Sequence, residues 1–548
     1  MASSVVRSLP ACLRYCPLRR RFPVRLRPRK IGDTLQSSRL KTETDHLQSC
    51  FQEAAGAWQR QDYEKTIEIL AQASQRQPAN PQILLNLGEA YGLRFDYQQA
   101  ERRLENAVGV SANEVETLAE AGRRCLRFGQ PGMANRYFTR AAERPNASPS
   151  VFVALAEFEE GHSRMEAALG YLARALDLQP GHPRALLARA RLHRLAGELE
   201  PGERILRLLL ARPEGKNSAD AWYELGTNLD RQGSYDPAME AFLQAKALLR
   251  PASTWHVAEL ERMRAGFREM ERLVTAGTLE RWRAASVELQ PARRLALLCG
   301  HPRSGTTLLE QVLDAHPDVI ATDETSILLG EAYPRLSRGF PADAPMVEIL
   351  ESAPLSALRQ ARADYFRFTE SFSGEIVGDR LLVDKNPAMD VHIPIVARIF
   401  PEAAFLVALR DPRDVCLSCF MLPMPRGRLS APYLSLEEAA AQYTAVMGFS
   451  RAIRSKLPNP QMEIRYEDVV GDLEETSRRV LSFLGLEWNP GILRFDDHAK
   501  TRLLRCAIDE AVARPIFTTS VGRWRHYQKY LEPCLEQLAP FITAFRYD

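Results

Sequence analysis

A repeat with a period of 34 residues constrains the first half of the chain more than any other feature. Small residues recur at steps of 34, 34, 34 and 36 positions, at Gly88, Gly122, Ala156, Ala190 and Gly226. A second small residue follows each of them, and a large apolar residue precedes each of them, at a constant distance. Small residues at two fixed places in each period allow two helices to approach closely. The pattern predicts stacked helical hairpins, each burying an apolar face against its neighbour.

The companion positions complete the pattern. The second small residues are Ala100, Ala134, Ala168, Gly202 and Ala238, and the large apolar residues are Leu84, Leu118, Phe152, Leu186 and Trp222. Pro78 and Pro180 fall where a repeat ends and a helix should stop. We therefore expect about six hairpins of tetratricopeptide type over residues 47–252, wound into a right-handed superhelix with a concave face. Two roles stay open for this array: a spacer or dimerisation arm, or a groove that recruits an acceptor polypeptide.

The segments on either side of the repeats differ in character. Residues 1–46 carry a net charge of +8, which leaves −5 for the rest of the chain and no general basic bias towards nucleic acid. We expect a basic, disordered tail there, with a mitochondrial-type transit peptide as the alternative. Residues 253–290 are amphipathic and helical with a break near Ala276 and Gly277, and we expect them to cap the last repeat.

The sequence also bears on the compartment. It contains no apolar run of 18 residues, so we predict no transmembrane helix. Its nine cysteines are scattered, and in a chain of 548 residues they do not form a disulfide framework. Both observations favour a cytoplasmic protein, although the basic tail leaves organelle targeting open.

From residue 291 to residue 548, short apolar runs alternate with helical segments. The candidate strands are Leu295–Cys299, Val319–Thr322, Leu381–Asp384, Phe405–Leu409 and Met462–Tyr466, and the candidate helices are 306–315, 392–399, 413–421, 436–456 and 474–484. This alternation predicts an α/β domain with a mainly parallel sheet. Ligands of such sheets bind beyond the carboxyl ends of the strands, which is where the motifs described below fall.

The first of these strands leads into a loop bracketed by Gly300 and Gly305. The loop reads G-x-x-x-x-G-T-T, whereas a nucleoside-triphosphate P-loop has a lysine where Thr306 stands. Backbone N–H groups, a helix N-terminus and Arg303 suit one compact anionic group better than a triphosphate bound to Mg²⁺. A purely structural turn between strand and helix is the alternative.

The motif PRSGTT at 302–307, followed by LxxxLDAHPDV, resembles the 5′-phosphosulfate loop of sulfotransferases that use 3′-phosphoadenosine 5′-phosphosulfate (PAPS). It is most similar to the tyrosylprotein sulfotransferase branch and to bacterial proteins that join tetratricopeptide repeats to a sulfotransferase domain. The resemblance covers residues from about 291 to 548. It implies that the 5′-phosphosulfate is held by Arg303, Ser304, Gly305, Thr306 and Thr307. Arg303 offers this group a fixed fork of donors.

A second motif implies a site for the 3′-phosphate. In FLVALRDPRDVCLSCF, Arg410 ends a candidate strand and Ser418 lies in the following helix. The family holds the 3′-phosphate with an arginine and a serine at this separation, so the resemblance assigns that role to Arg410 and Ser418. The alternative is a surface ion cluster of Arg410 with Asp411 or Asp414.

Three further residues are expected to bind the nucleotide. Tyr466 in EIRYEDVV resembles a nucleotide-contacting residue of the family, with a half-buried strand tyrosine as the alternative. The stretch FTTSVGRWRHY resembles the loop that closes over the adenosine. Arg523 takes the place of its basic nucleotide contact, and Ser520 is a second contact.

The resemblance also implies a general base. Glu324 follows Arg303 by 21 residues, which matches the spacing of the catalytic glutamate of the tyrosylprotein branch. A carboxylate beside an acceptor hydroxyl can take its proton as the new bond to sulfur forms. Asp323 is the competing acid, and His316 ranks lower because DAHPDV looks like a helix terminus. The alternative role of Glu324 is to cap a helix or bind an arginine.

Lys385 in LLVDKNP resembles the lysine that stabilises the leaving-group oxygen, with a salt bridge to Asp384 as the alternative. The chain has no HExxH, no paired CxxC and no Asp-rich loop, so we predict metal-independent transfer.

Taken together, the sequence predicts an α-helical tetratricopeptide-repeat solenoid followed by an α/β P-loop-type domain of the sulfotransferase fold. The expected function is transfer of a sulfuryl group from PAPS to an acceptor hydroxyl, with tyrosine on a protein or peptide as the leading acceptor. A carbohydrate or small-alcohol acceptor, a P-loop kinase, and a non-catalytic repeat scaffold are the alternatives.

Overall fold

The computed structural model describes residues 49–58, 62–162, 164–289, 291–322, 324–341, 344–423, 431–501, 516 and 518–548. The chain divides into two compact units, which meet in sequence between Ala185 and Leu186. Among the described residues, no helix combines the length and the apolar character needed to cross a membrane.

The described part of the first unit is built from antiparallel helix pairs. Its helices are α1 (49–58), α2 (Tyr63–Arg76), α3 (Pro81–Leu93), α4 (Tyr97–Val110), α5 (Glu114–Arg127), α6 (Pro131–Ala142), α7 (Pro149–Gly161) and α8 (Met165–Leu178). Asp62, Asn80, Asp96 and Asn113 each accept a backbone N–H with the side chain, which fixes where α2 to α5 begin.

The small residues of the repeat do what their spacing predicts. A Cβ atom added at Gly88 on α3 would lie 2.9 Å from Leu104 on α4. One added at Gly122 on α5 would lie 2.7 Å from the Phe138 ring on α6. Real side chains do not tolerate such distances, so the close approach of paired helices depends on these glycines. The prediction of a helical repeat region is confirmed.

The second unit begins with further helices of the repeat type, and the last helix of this series is long. These helices are α9 (Pro183–Leu195, which starts in the first unit), α10 (Leu199–Leu210), α11 (Pro213–Lys216), α12 (Ala219–Arg231), α13 (Tyr235–Leu273) and α14 (Ala276–Ala284). Helix α13 runs for 39 residues and crosses position 252, the predicted end of the repeats, with Pro251 inside it. The predicted break near residue 276 is present, because α13 ends at Leu273 and Thr275 caps α14.

Five parallel strands form the sheet of this unit. They are β1 (Leu295–Cys299), β2 (Val319–Thr322), β3 (Leu381–Lys385), β4 (Ala404–Leu409) and β5 (Gln461–Arg465). Their order is β2-β3-β1-β4-β5, and every neighbouring pair is parallel. The predicted parallel α/β domain is therefore confirmed. The last strand ends one residue earlier than expected, because Tyr466 already belongs to the next helix.

Helices cover the sheet and connect its strands. They are α15 (Thr306–Asp314), α16 (Tyr333–Ser337), α17 (Met346–Ser352), α18 (Leu355–Ser373), α19 (Ile393–Ile399), α20 (Pro412–Met421), α21 (Leu436–Arg454), α22 (Tyr466–Gly471), α23 (Leu473–Phe483), α24 (Phe495–Thr501) and α25 (Gln528–Ala544). The long helix α13 packs along α21, where Phe267 stacks on Phe449 with ring centroids 5.3 Å apart.

A buried carboxyl group sits at the end of β3. Asp384 accepts a hydrogen bond from the Tyr365 hydroxyl at 2.5 Å and one from the Thr322 hydroxyl at 3.3 Å. Burial raises the pKa of Asp384 to about 6, although these hydrogen bonds and the neighbouring Lys385 act in the opposite direction. The folded protein therefore binds this proton more tightly than the unfolded chain does.

The first prediction concerns Gly122. Alanine there gains about 0.5–1 kcal/mol of helix propensity, but overpacking a tight core typically costs about 1–3 kcal/mol. We expect Gly122→Ala to lower the free energy of unfolding, measured by urea denaturation. Gly170→Ala on α8, where an added Cβ meets nothing within 4 Å, is the matched control and should raise it. Equal gains at both positions would contradict the packing role of Gly122.

The second prediction concerns the pH dependence of stability. Because the pKa of Asp384 is raised, wild-type protein should lose stability, relative to Asp384→Asn, as pH rises from about 4 to about 6. The slope of that difference should approach about 1.4 kcal/mol per pH unit and vanish above pH 6. Urea unfolding of both proteins across this range measures it, with the exposed Asp318→Asn as the control. A difference that stays constant with pH would refute the raised pKa.

Candidate functional site

The loop between β1 and α15 lies at the carboxyl edge of the sheet. Gly300 donates its N–H to Asp390 Oδ2 at 2.6 Å, and Gly305 opens α15 with a φ of 90°. A Cβ atom at Gly305 would lie 2.6 Å from the Tyr466 ring, so only glycine fits there. Arg303 also has a positive φ, 74°, which strains a residue that has a Cβ atom. A strained turn at a helix start exposes backbone N–H groups to an anion.

Four of the predicted donor-binding residues meet beside this loop. Arg303 donates from Nε to the Ser418 hydroxyl at 2.9 Å. Arg410 donates from Nη1 to the carbonyl oxygen of Arg303 at 3.1 Å, and from Nη2 to the carbonyl oxygen of Ser520 at 2.5 Å. Ser304, Thr306 and Thr307, the other side chains of the loop, are buried around its backbone.

Arg410 contacts one of the two acids that the alternative interpretation offered. Its Nη2 atom lies 4.0 Å from Asp414 Oδ2, at the limit of an ion pair. Asp411 instead binds Arg413, with Nη2 to Oδ2 at 2.8 Å. Arg410 is buried, so this is an interior arrangement and not a surface ion cluster.

Tyr466 lies beneath the loop as the first residue of α22. Its ring covers Gly305, and the guanidinium of Arg410 lies 5.0 Å from its centroid. Burial raises the pKa of the Tyr466 hydroxyl, while Arg410 and a hydrogen bond with Ser520 act in the opposite direction. Tyr466 is therefore part of the cluster, one residue beyond the strand that was expected to end with it.

A second cluster forms on the other side of α15. The Lys385 ammonium lies 3.3 Å from Glu324 Oε1 and 3.3 Å from Glu310 Oε2. Consecutive strand residues point to opposite faces of a sheet. Accordingly, Asp384 turns away to Tyr365 and Thr322, and the alternative pairing of Lys385 with Asp384 is replaced by these two glutamates.

The side chains of the remaining candidates have partners outside these two clusters. His316 hydrogen-bonds through Nε2 to the carbonyl oxygen of Glu487 at 3.0 Å and accepts the N–H of Asp318, which is a structural arrangement. Arg523 directs Nη2 to Asp230 Oδ2 of α12 at 2.5 Å. Asp323, the competing acid, lies outside the described residues.

The sequence analysis assigned no role in the site to Glu310, and it named Asp414 only as an ion partner of Arg410. Glu310 is fully buried on α15 beside Lys385, and the signal for it was a carboxylate that lies, with Gln311, between the apolar pairs of LLEQVL. Asp414 accepts the N–H groups of Gly522 at 2.7 Å and Trp524 at 2.8 Å, across more than 100 positions of sequence that carry no local signal.

Each strand contributes one part of this edge. Glu324 follows β2, Lys385 ends β3, the loop of Arg303 follows β1, Arg410 follows β4 and Tyr466 follows β5. Basic and hydroxyl groups thus gather around β1, β4 and β5, and a lysine flanked by carboxylates lies at β2 and β3. Such an edge can bind a polyanion at one side and handle a proton at the other.

The chain is similar in sequence to known proteins over the part that contains this edge of the sheet. Residues 296–490 match the family model described as sulfotransferase family. The chain is 25% identical over 346 residues to an uncharacterized protein of Aquifex aeolicus, covering 61% of this chain and 43% of that protein. It is 27% identical over 237 residues to the nodulation protein NoeE of Sinorhizobium fredii, covering 40% of this chain and 56% of NoeE.

A third relative is protein-tyrosine sulfotransferase 1 of Danio rerio, 28% identical over 282 residues, with 46% of this chain and 72% of the relative covered. The chain spans about half the length of the first two relatives, at 43% and 56%. The loop, the strand order and the family match all fall within the α/β part of the chain. The chain thus joins helical repeats to an α/β domain that matches the sulfotransferase family model over residues 296–490.

Proposed function

We propose that this protein transfers the sulfuryl group of PAPS to an acceptor hydroxyl. The observation that carries the proposal is the convergence of Arg303, Arg410 and Ser418 on a glycine-bracketed loop that has Thr306 where a P-loop has lysine. Two guanidinium groups and a hydroxyl suit the separate phosphates of a doubly phosphorylated adenosine.

The donor would be held at two places. The N–H groups at the start of α15, with Arg303 and the threonine hydroxyls, suit its 5′-phosphosulfate. Arg410 and Ser418 suit its 3′-phosphate, and Tyr466 offers a ring face beside them. The bound donor supplies the sulfuryl group, and no metal ion is required for this proposal.

In this proposal the second cluster, formed by Lys385, Glu324 and Glu310, accepts the proton of the acceptor hydroxyl. Glu324 has a side chain 24% exposed, so a hydroxyl arriving from solvent can reach its carboxylate and pass it a proton. Lys385 is only 1% exposed and offers a compact positive charge to the oxygen of the departing nucleotide. Their separation of 3.3 Å supports this assignment, because the proposed base and the proposed stabilising charge would then act side by side.

The leading acceptor is a tyrosine of a protein or peptide. The name of the Danio rerio relative supports this choice, and the relatives in other animals carry the same name. A carbohydrate or small alcohol is the alternative acceptor. We further propose that the repeats recruit the acceptor polypeptide, because stacked helical hairpins form extended concave surfaces that bind partners.

The decisive experiment is a pair of titrations followed by labelling. Isothermal titration should show binding of 3′-phosphoadenosine 5′-phosphate and none of ATP, whereas a kinase would bind ATP. Incubation with radiolabelled PAPS and a lysate should then label a hydroxyl-bearing acceptor. Binding without transfer to any of a broad acceptor panel would favour the non-catalytic scaffold, and ATP binding would overturn the proposal.

The third prediction tests the base. Glu324→Ala should lower turnover by about 10²–10⁴-fold, the usual contribution of a general base, and leave the affinity for 3′-phosphoadenosine 5′-phosphate unchanged. Steady-state rates and titration measure the two quantities separately. The exposed Glu348→Ala on α17 is the matched control and should behave like wild type. Undiminished turnover in Glu324→Ala would remove Glu324 from catalysis.

The fourth prediction tests the donor site. Arg410→Ala should weaken binding of 3′-phosphoadenosine 5′-phosphate by about 1.5–3 kcal/mol, as expected for one charged hydrogen-bonding partner. Arg478→Ala is the control, because Arg478 pairs with Glu474 on the surface of α23. The melting temperature of each variant is recorded so that lost affinity is not confused with lost folding. An unchanged affinity in folded Arg410→Ala would place this arginine outside the site.

A further inference from the structure

We propose that the last helical repeat is part of the donor site, and that Asp230 on α12 is the positioning residue for Arg523. This inference rests on the proposed function, because it concerns the nucleotide expected at the same site. Two segments carry it. The repeat turn is residues 230–236, between α12 and α13, and the C-terminal segment is residues 518–530.

The backbone of the C-terminal segment is hydrogen-bonded to Arg410 and Asp414, beside the expected donor site. Arg410 donates to the carbonyl oxygen of Ser520 at 2.5 Å. Asp414, one turn into α20, accepts the N–H of Gly522 at 2.7 Å and that of Trp524 at 2.8 Å. Residues 520–524 therefore cannot shift without disturbing Arg410, which is also bonded to the loop at Arg303.

The side chains of the same segment form an ion pair, a hydrogen bond and a ring contact with the repeat turn. Asp230 receives Arg523 Nη2 at 2.5 Å on one oxygen and the Tyr527 hydroxyl at 2.7 Å on the other. Beside them, Tyr235 stacks on His526 with ring centroids 4.2 Å apart. One carboxylate of the repeat thus fixes two consecutive turns of the C-terminal segment.

Burial makes this ion pair different from an ordinary surface contact. The Arg523 and Asp230 side chains are 30% and 10% exposed, and Tyr527 beside them is fully buried. Next to it, Asp236 binds Lys529 and Tyr530, but there the ion-paired side chains are 57% and 60% exposed. Exposed pairs contribute little, whereas removing one partner of a shielded pair leaves a charge without compensation. The exposed pair of Asp236 with Lys529 is therefore a matched control for the shielded pair of Asp230 with Arg523.

A second contact brings the last repeat against the helix that carries Ser418. Lys246 on α13 is buried, and its ammonium lies 4.8 Å from the centroid of Phe420, two residues beyond Ser418 on α20. Burial lowers the pKa of Lys246 to about 7. The last repeat thus packs on both elements, α20 and the C-terminal segment, that frame the expected 3′-phosphate.

The guanidinium group explains why Asp230 would assist a phosphate and not compete with it. Arginine carries five N–H donors in a planar fork, so one edge can face a carboxylate while another faces a phosphate. Held by Asp230, the long Arg523 side chain loses little further rotamer freedom when an anion binds. Without Asp230, the nucleotide must order Arg523 itself.

The experiment is a double-mutant cycle in the full-length protein. Binding of 3′-phosphoadenosine 5′-phosphate is measured for wild type, Asp230→Ala, Arg523→Ala and the double variant. We expect Kd to rise about tenfold in each single variant, the size of one charged hydrogen bond. The double variant should bind no more weakly than Arg523→Ala, because Asp230 acts through Arg523. Asp236→Ala should change Kd less than about twofold, as exposed pairs do.

Three results would overturn the inference. Asp230→Ala could bind as tightly as Asp236→Ala, it could bind more tightly than wild type, or its effect could add fully to that of Arg523→Ala. The first result would show that Asp230 does not position Arg523. The second would show that Asp230 competes with the nucleotide for Arg523. The third would show that Asp230 has a general structural role. If Asp230→Ala does not fold by thermal melting, Asp230→Asn decides, since it keeps the shape and an acceptor for Tyr527 while losing the charge.

Steady-state kinetics supply an independent readout. Asp230→Ala should raise KM for PAPS and leave kcat at saturating PAPS near the wild-type value, which a general loss of structure would not do. Failure of the proposed function is recognised separately, because wild-type protein would then bind no 3′-phosphoadenosine 5′-phosphate. If wild type binds and transfers but Asp230→Ala is unaffected, only the role of the repeat is refuted.

Discussion

The arrangement at the carboxyl edge of the sheet depends on the guanidinium of Arg410. It donates to the carbonyl oxygens of Arg303 and Ser520, and it lies over the ring of Tyr466. Three segments far apart in sequence are thereby joined by one side chain, close to the Asp414 carboxylate. A buried charge needs several partners of this kind, and an entering phosphate would find a group whose orientation is already fixed.

Topology distributes the chemistry along this edge. Because β1 is central in the order β2-β3-β1-β4-β5, its loop has Glu324 and Lys385 on one side and Arg410 and Tyr466 on the other. Helix α15 connects the two sides, since it begins at the glycine-bracketed loop and its Glu310 contacts Lys385. A helix of nine residues thus separates the two clusters.

Sequence patterns predicted the elements well and the long-range contacts poorly. Period and apolar runs located the repeats, all five strands and the loop, because those signals are local. The contacts of Glu310 with Lys385 and of Asp414 with Trp524 were missed because these partners lie some 75 and 110 positions away, at distances only the fold creates. A salt bridge from Lys385 to its sequence neighbour Asp384 was offered only as the alternative role, and alternation along a strand sends these two side chains apart. Tyr466 was displaced by one residue, the ordinary uncertainty of an element boundary.

The continuity of α13 has a consequence for how such a chain can be inherited. At 39 residues it is a rod about 58 Å long. It begins in the last repeat, stacks on α21 through Phe267, and has no interruption at residue 252. A recombination event at residue 252 that joined this α/β domain to a different array would interrupt α13. Phe420 would then lose its contact with Lys246, which lies before that position. Any exchange of arrays between relatives would have to break the chain upstream of α12, so that the final hairpin travels with the domain.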